Sequence, residues 1–165
     1  MVKHSATLDS SFWINAHRAG LLEYVFDRYA VYYTPAVAIE LRANFPSGRE
    51  FWRIVRDGLL VETAPSNDAF TLFGPGERAA INLVSERPDW VLLMDDRKPL
   101  IEAQRLGLRT LCTPVLVATL FDVDRVDMGQ AIEMLGRLTA MQTVSPTLIQ
   151  AALAQVGLDA SRKGI

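Results

Sequence analysis

With 165 residues, 50% of them hydrophobic and 22% charged, the chain has the composition of one globular domain with a sizeable core, which excludes a disordered chain. A formal net charge of −2 argues against bulk polyanion binding and leaves room for a local basic face. Cys112 is the single cysteine, which excludes an internal disulfide and suits a reducing compartment; with two histidines besides, it is too little for a conventional zinc site. No apolar h-region follows Met1-Val2-Lys3-His4, and no apolar run reaches membrane-spanning length, so a soluble cytoplasmic domain without membrane contact is expected.

Ala6-Thr7-Leu8 reads as a short strand that stops at Asp9-Ser10-Ser11, where Phe12, Trp13 and Asn15 open a helix broken by Gly20. A second helix is expected over Leu21 to Arg28. Ala30-Val31-Tyr32-Tyr33, β-branched and aromatic, is the next strand. Thr34 caps and Pro35 opens a helix over Ala36 to Ala43, apolar nearly all round and so expected to be buried. Asn44 to Gly48 breaks it, and an amphipathic helix follows over Glu50 to Arg56, ending at Gly58. Leu59-Leu60-Val61 reads as a strand, Gly74-Pro75-Gly76 as a turn into a helix over Glu77 to Glu86. Val91-Leu92-Leu93-Met94 is a wholly apolar strand that runs into Asp95-Asp96 and a helix, Leu100 to Leu106, stopped by Gly107. Arg109-Thr110-Leu111 is the last strand; Thr113-Pro114 starts a helix to Phe121. Two further helices, Met128 to Met141 and Pro146 to Val156, complete the chain. The alternation predicts a three-layer α/β/α sandwich with a mostly parallel, Rossmann-like central sheet over residues 1–122 and a helical C-terminal extension over 123–165, all one domain.

Parallel sheets place their ligands at the carboxyl ends of the strands. Asp9 and Asp95, with Asp96 beside it, stand at two such ends. Glu77 shares a helix face with Ala80, Ile81 and Val84, and Glu40 is the lone acid beside Ala36 and Val37; both are expected to be partly withdrawn from water. Taken singly, each has a plainer role. Asp9 and Asp95 read as helix caps, Glu77 as a first-turn acid favoured by the helix dipole, Glu40 as an ion-pair partner of Arg42 or a neighbour. Taken jointly, acids gathered in one place repel, and a hard divalent cation, Mg²⁺ or Mn²⁺, is the natural partner. Such a site suits phosphodiester hydrolysis, with the metal activating water and stabilising charge on the leaving oxygen.

Leu8-Asp9-Ser10-Ser11, the Glu40 of Pro35-Ala36-Val37-Ala38-Ile39-Glu40-Leu41, Gly76-Glu77-Arg78-Ala79-Ala80-Ile81 and Leu92-Leu93-Met94-Asp95-Asp96 resemble, in order and spacing, the successive acidic motifs of PIN domains. These are metal-dependent nuclease domains of many prokaryotic toxin–antitoxin pairs and of RNA-processing factors. The tail, Ser145-Pro146-Thr147-Leu148-Ile149, is similar to that of a prokaryotic branch with extra C-terminal helices. The resemblance implies a PIN fold and a Mg²⁺- or Mn²⁺-dependent endoribonuclease. Asp9, Glu40, Glu77 and Asp95 would be catalytic and metal-binding, Asp96 a further metal ligand, and Ser10, Ser11 and Thr113 polar neighbours. A toxin role with an antitoxin partner and a homodimer are the expectations that accompany it. The chain departs from the family pattern at Lys98-Pro99-Leu100 and at Cys112-Thr113-Pro114, where a rigid proline stands next to Thr113. These departures sustain the alternative, a catalytically silent module that binds RNA or protein.

Arg49, Arg53 and Arg56 share a helix face with Trp52 nearby, a pattern for tracking an RNA backbone and stacking a base; the competing reading is a solvated face with Trp52 in the core. Arg97 and Lys98, directly after the acids, could hold phosphates of the scissile strand. His17 beside Arg18 reads as an ordinary surface histidine. No P-loop, Ser/His/Asp order or glycine-rich dinucleotide fingerprint is present. Ala131, Ile132, Leu135 and Leu138 form a stripe that is either core or a partner surface.

Overall fold

The computed structural model describes residues 2–165. In chain order the elements are β1 (His4–Leu8), α1 (Ser10–Ala19), α2 (Leu22–Arg28), β2 (Tyr29–Tyr33), α3 (Pro35–Glu40), α4 (Pro46–Arg56) and β3 (Leu60–Glu62). They continue with α5 (Pro75–Ser85), β4 (Val91–Leu93), α6 (Arg97–Arg105), β5 (Thr110–Leu111), α7 (Thr113–Asp122), α8 (Met128–Thr139) and α9 (Pro146–Lys163). The strands form one parallel sheet in the order β3-β2-β1-β4-β5. β1 is therefore central, flanked by β2 and β4, and the chain reverses its winding direction between them. This is the switch point where parallel sheets open a crevice at their carboxyl ends.

Helices cover both faces, as the alternation predicts. Along β4 the side chains divide between two cores. Val91 and Leu93 join a large cluster with Leu8, Phe12, Trp13 and Phe51, while Leu92 and Met94 join a smaller one with Ala80, Ile81 and Leu100. That two-sided burial is why the strand is apolar at every position. Trp13 is fully buried, edge-on to Phe51 at 5.3 Å between centroids, and its indole N–H donates to the Ser47 carbonyl at 2.8 Å. Each such side chain contributes on the order of 2–3 kcal/mol by leaving water.

The C-terminal extension is continuous with the larger core. Ala131, Leu135 and Leu138 of α8 and Ile149, Ala152, Val156 and Ala160 of α9 belong to the same cluster as Phe12 and Trp13. The stripe expected in this region is thus core, except that Ile132 is exposed. α9 runs to Lys163, well beyond Val156, because Lys163 and Arg162 tie its last turn to Asp124, Asp122 and the Phe121 carbonyl. No helix among the described residues is long and apolar enough to cross a membrane.

Two expectations near the third helix fail. α3 stops at Glu40, and only Val37 within it is buried, with Ile39 76% exposed. Its apolar residues are too few turns deep to be surrounded by the fold. α4 begins at Pro46, not Glu50, so Pro46-Ser47-Gly48 is helix and not a break. Pro46 suits the first helical position, where its missing N–H has no partner to lose. Gly48 is needed for a different reason than breaking: a Cβ there would overlap the Arg42 carbonyl.

Candidate active site

Asp9 follows β1 and caps α1. Its Oδ1 accepts the Phe12 N–H at 2.9 Å and its Oδ2 the Ser11 hydroxyl at 2.6 Å. The capping reading is correct as far as it goes, but the carboxyl is also 1% exposed, which a cap does not require. Burial pushes it up to about 8, against the two hydrogen bonds, and the charges of Asp95 and Glu77 add to the rise.

Asp95, the first acid after β4, is equally buried and does not cap α6. Asp96 does that, its Oδ1 accepting the Lys98 N–H. The cap being supplied by its neighbour, Asp95 turns inward and accepts three hydrogen bonds. Thr113 N–H reaches Oδ1 at 2.7 Å, and the Thr113 hydroxyl and the Asn15 amide reach Oδ2, each at 2.7 Å. Burial raises its carboxyl, and those three bonds pull the other way. Pro114 does no harm here: in the first turn of α7 its ring leaves Thr113 free to hold Asp95. Cys112, alongside, has its thiol pushed up to about 11 by burial, with Asp95's charge adding, which removes it as a nucleophile.

Glu77 lies in the first turn of α5, with Oε2 accepting the Gly74 N–H at 2.9 Å. Half-burial raises its carboxyl, and the nearby charges of Asp96 and Glu40 raise it further. Glu40, in contrast, is exposed, so its expected withdrawal from water is not found. It is held all the same. Oε2 accepts the Ser10 hydroxyl and Oε1 the Gly76 N–H at 2.9 Å. A Cβ at position 76 would stand 2.7 Å from that Oε1, so glycine is what lets α3 and α5 meet here. Among the described residues Glu40 forms no ion pair with Arg42 or another neighbour; Ser10 and Gly76 hold it instead.

The five acids thus follow one another around the carboxyl edge of the sheet: Asp95 beside Asp9, Asp9 beside Glu77, Glu77 beside Asp96 and Glu40. Among the described residues no group of three or more His, Cys, Asp or Glu side chains forms a set able to hold a metal ion. The Asp9 and Glu40 oxygens each accept one of the donors above and keep a second lone pair, whereas Asp95 Oδ2 already accepts two donors. Carboxylates are the oxygen donors that hard cations take, but as placed these do not form one coordination set.

The basic candidates divide. Arg97 and Lys98 are exposed at the start of α6, next to Asp96. Arg49, Arg53 and Arg56 lie on α4. Arg53 bridges Glu50 at 2.7 Å and Asp57 at 2.9 Å, and Arg49 donates to the Asn44 carbonyl. Trp52 is exposed and not in the core, its indole N–H donating to the Leu41 carbonyl.

Asn15 is the residue that the sequence reading missed. It is wholly buried, donates to Asp95, and also bonds Thr143 in the α8–α9 turn at 3.0 Å, so the extension braces the acidic site. The signal was present: Asn15 falls on the stripe Phe12, Asn15, Ala16, Ala19, a polar residue on an apolar helix face just as Glu77 is.

A family model described as a PIN domain matches residues 5–158. No curated protein matches. Among solved structures, the chain is similar to that of the PIN domain endonuclease Utp24, at 15% identity and a TM-score of 0.49, over 66% of this chain and 84% of that one.

Proposed function

The chain belongs to the PIN-domain family, and from that premise we propose that it is a divalent-metal-dependent endoribonuclease whose site is the acidic edge of the sheet. PIN domains are generally nucleases and typically use divalent metals. The finer reading adds Mg²⁺ or Mn²⁺ as the ion, RNA as the substrate, and a cytoplasmic toxin with an antitoxin partner as the setting. One observation carries it: Asp9 and Asp95 are buried at the switch point of a parallel sheet, where burial raises their carboxyls, with Glu77, Asp96 and Glu40 alongside.

Asp9, Glu40, Glu77, Asp95 and Asp96 would hold the ion. Bound there, it supplies charge neutralisation and Lewis acidity toward a phosphodiester. Hydrolysis joins a water oxygen to phosphorus and breaks one P–O ester bond, with a water proton ending on the leaving ribose oxygen. The chain's own groups orient this reaction. Ser11 and the Phe12 N–H fix Asp9; Thr113 and Asn15 fix Asp95; Ser10 and the Gly76 N–H fix Glu40. Arg97 and Lys98 offer positive charge to the flanking phosphates.

A second reading, a catalytically silent module that binds RNA or protein, draws support from the acids of the described residues not forming one set of three or more placed to hold a metal ion. Incubation with a panel of single-stranded and structured RNAs, with Mn²⁺ and then with EDTA, separates the two. Cleavage that EDTA abolishes and Asp9→Asn removes is expected. Intact RNA across the panel favours the silent module.

A further inference from the structure

The exposed face of α1 begins at the acidic site and ends in a basic cleft. Ser10, which bonds Glu40, shares this face with Ile14 at four residues and with His17 and Arg18 at seven and eight, a rise of about 12 Å from Ser10 to Arg18. There the surface opens into a cleft of about 480 Å³ between the end of α1, the first turn of α4 and the last turn of α8. It is lined by Ile14, His17, Arg18, Pro46, Ser47, Arg137 and Ala140, with no acid among them.

Several features make this more than a chance meeting of surface charges. Three separate stretches of sequence supply its walls, and they are rigidly joined. Trp13 N–H holds the Ser47 carbonyl, and Asn15 holds Thr143 just beyond Ala140. Arg18 forms no ion pair among the described residues, although the chain has more acids than bases. Arg137 pairs with Glu133 at 2.6 Å, and both partners are at least half exposed, so an incoming phosphate competes with a solvated carboxylate. Glu50, the other acid near His17, is engaged by Arg53. A strand leaving the acids along α1 crosses the apolar Ile14 and meets two guanidinium groups, the side chains best shaped to grip a phosphate.

We propose that this cleft binds a backbone phosphate of the single-stranded RNA substrate, a few nucleotides from the scissile bond, with Arg18 and Arg137 as its phosphate-binding side chains. The inference rests on the nuclease reading above for its choice of ligand. It gives α8 a role beyond packing: the C-terminal extension contributes one wall of the substrate track.

The test measures binding, not cleavage. The full chain carrying Asp9→Asn, which leaves RNA intact, is titrated against a fluorescein-labelled single-stranded oligoribonucleotide of mixed sequence, by anisotropy over a range of salt concentrations. Adding Arg18→Ala and Arg137→Ala weakens binding about tenfold and makes the salt dependence shallower by about 1 in log–log slope. Arg105→Ala with Arg109→Ala removes the same charge at the far edge of the sheet and changes affinity less than about twofold. Arg18→Ala alone, at an exposed last-turn position that leaves the fold intact, gives about threefold, so the proposal stays testable if the Arg137 change disturbs α8. Equal losses from the cleft pair and the far-edge pair overturn it, and so does failure of the Asp9→Asn protein to bind RNA. Cleavage by the unmodified protein is scored separately. Cleft-dependent binding without cleavage defeats the nuclease reading and leaves the cleft standing; cleavage with affinity indifferent to the cleft does the reverse.

Discussion

The strand-end acids and the helix-borne acids of the same site are held in opposite ways. Asp9 and Asp95 are buried, and protein donors fix every oxygen they present. Glu40 is exposed although Ser10 and Gly76 hold its two oxygens, and Glu77 is half-buried with Gly74 as a donor. A sheet edge delivers a side chain into the crevice with the core already around it, whereas a first-turn or last-turn helical position leaves the side chain at the rim. On the proposed reading the inner pair therefore couples chemistry to folding, and the outer acids are expected to change with little effect on the fold.

The largest effect is expected at Asp95. Asp95→Ala leaves the Thr113 N–H, its hydroxyl and the Asn15 amide without their acceptor, and destabilises by about 3 kcal/mol or more in urea denaturation. A loss no greater than that of a surface substitution would show that the inner pair is not structural. Next is Asn15→Ala, expected to cost roughly 1–3 kcal/mol and to lower the rate of cleavage while leaving RNA affinity unchanged, since Asn15 acts through Asp95 and not on the substrate.

Asp9 behaves differently because its burial favours the neutral form. Its carboxyl ionises in the unfolded chain near its ordinary value of 3.8 but in the folded protein at about 8, so the folded state holds the extra proton in between. The contribution of Asp9 to the stability of the metal-free protein is then greatest below the lower value and falls as pH rises toward the upper one. Melting temperatures followed across that window should decline, and Asp9→Asn should flatten the decline, because Asn still caps α1 but carries no charge. In the same variant cleavage is lost while metal-free stability is equal or greater; a clear loss would reduce Asp9 to a cap. If a divalent ion sits among the acids, Mn²⁺ raises the melting temperature of the unmodified protein near pH 8 and does so less in Asp9→Asn.

The smallest effect on folding is at the rim. Glu40→Gln is expected to shift stability by no more than about 0.5 kcal/mol while slowing cleavage, a contrast read from paired urea and RNA-cleavage measurements. Equal slowing and destabilisation there would erase the distinction between inner and outer acids.

Much of this was legible in the residues. The wholly apolar β4 followed by two acids identifies a central strand and its carboxyl end, and proline after a threonine or serine marks the starts of α3, α7 and α9. Other features were not, for reasons that follow from packing. Two adjacent aspartates after a strand look alike in sequence; which one caps α6 and which turns inward depends on where Thr113 and Asn15 arrive from elsewhere in the chain. An apolar run such as Ala36-Val37-Ala38-Ile39 looks buried, but burial requires neighbours on every side, and α3 has them on one. A glycine reads as a break, and at Gly48 it is a close approach inside a helix. His17 and Arg18 look like ordinary surface charges until α8 brings Arg137 across from them.

By itself the sequence determined the layers, the parallel sheet and the list of acids, because periodicity, caps and turn residues act within a few positions of one another. Only the tertiary structure decided which acids are buried and which exposed, that Asn15 and Thr113 grip Asp95, and that a basic cleft lies at the end of α1. Those outcomes depend on desolvation and on donors that meet across dozens of residues, and neither is a property of any local stretch.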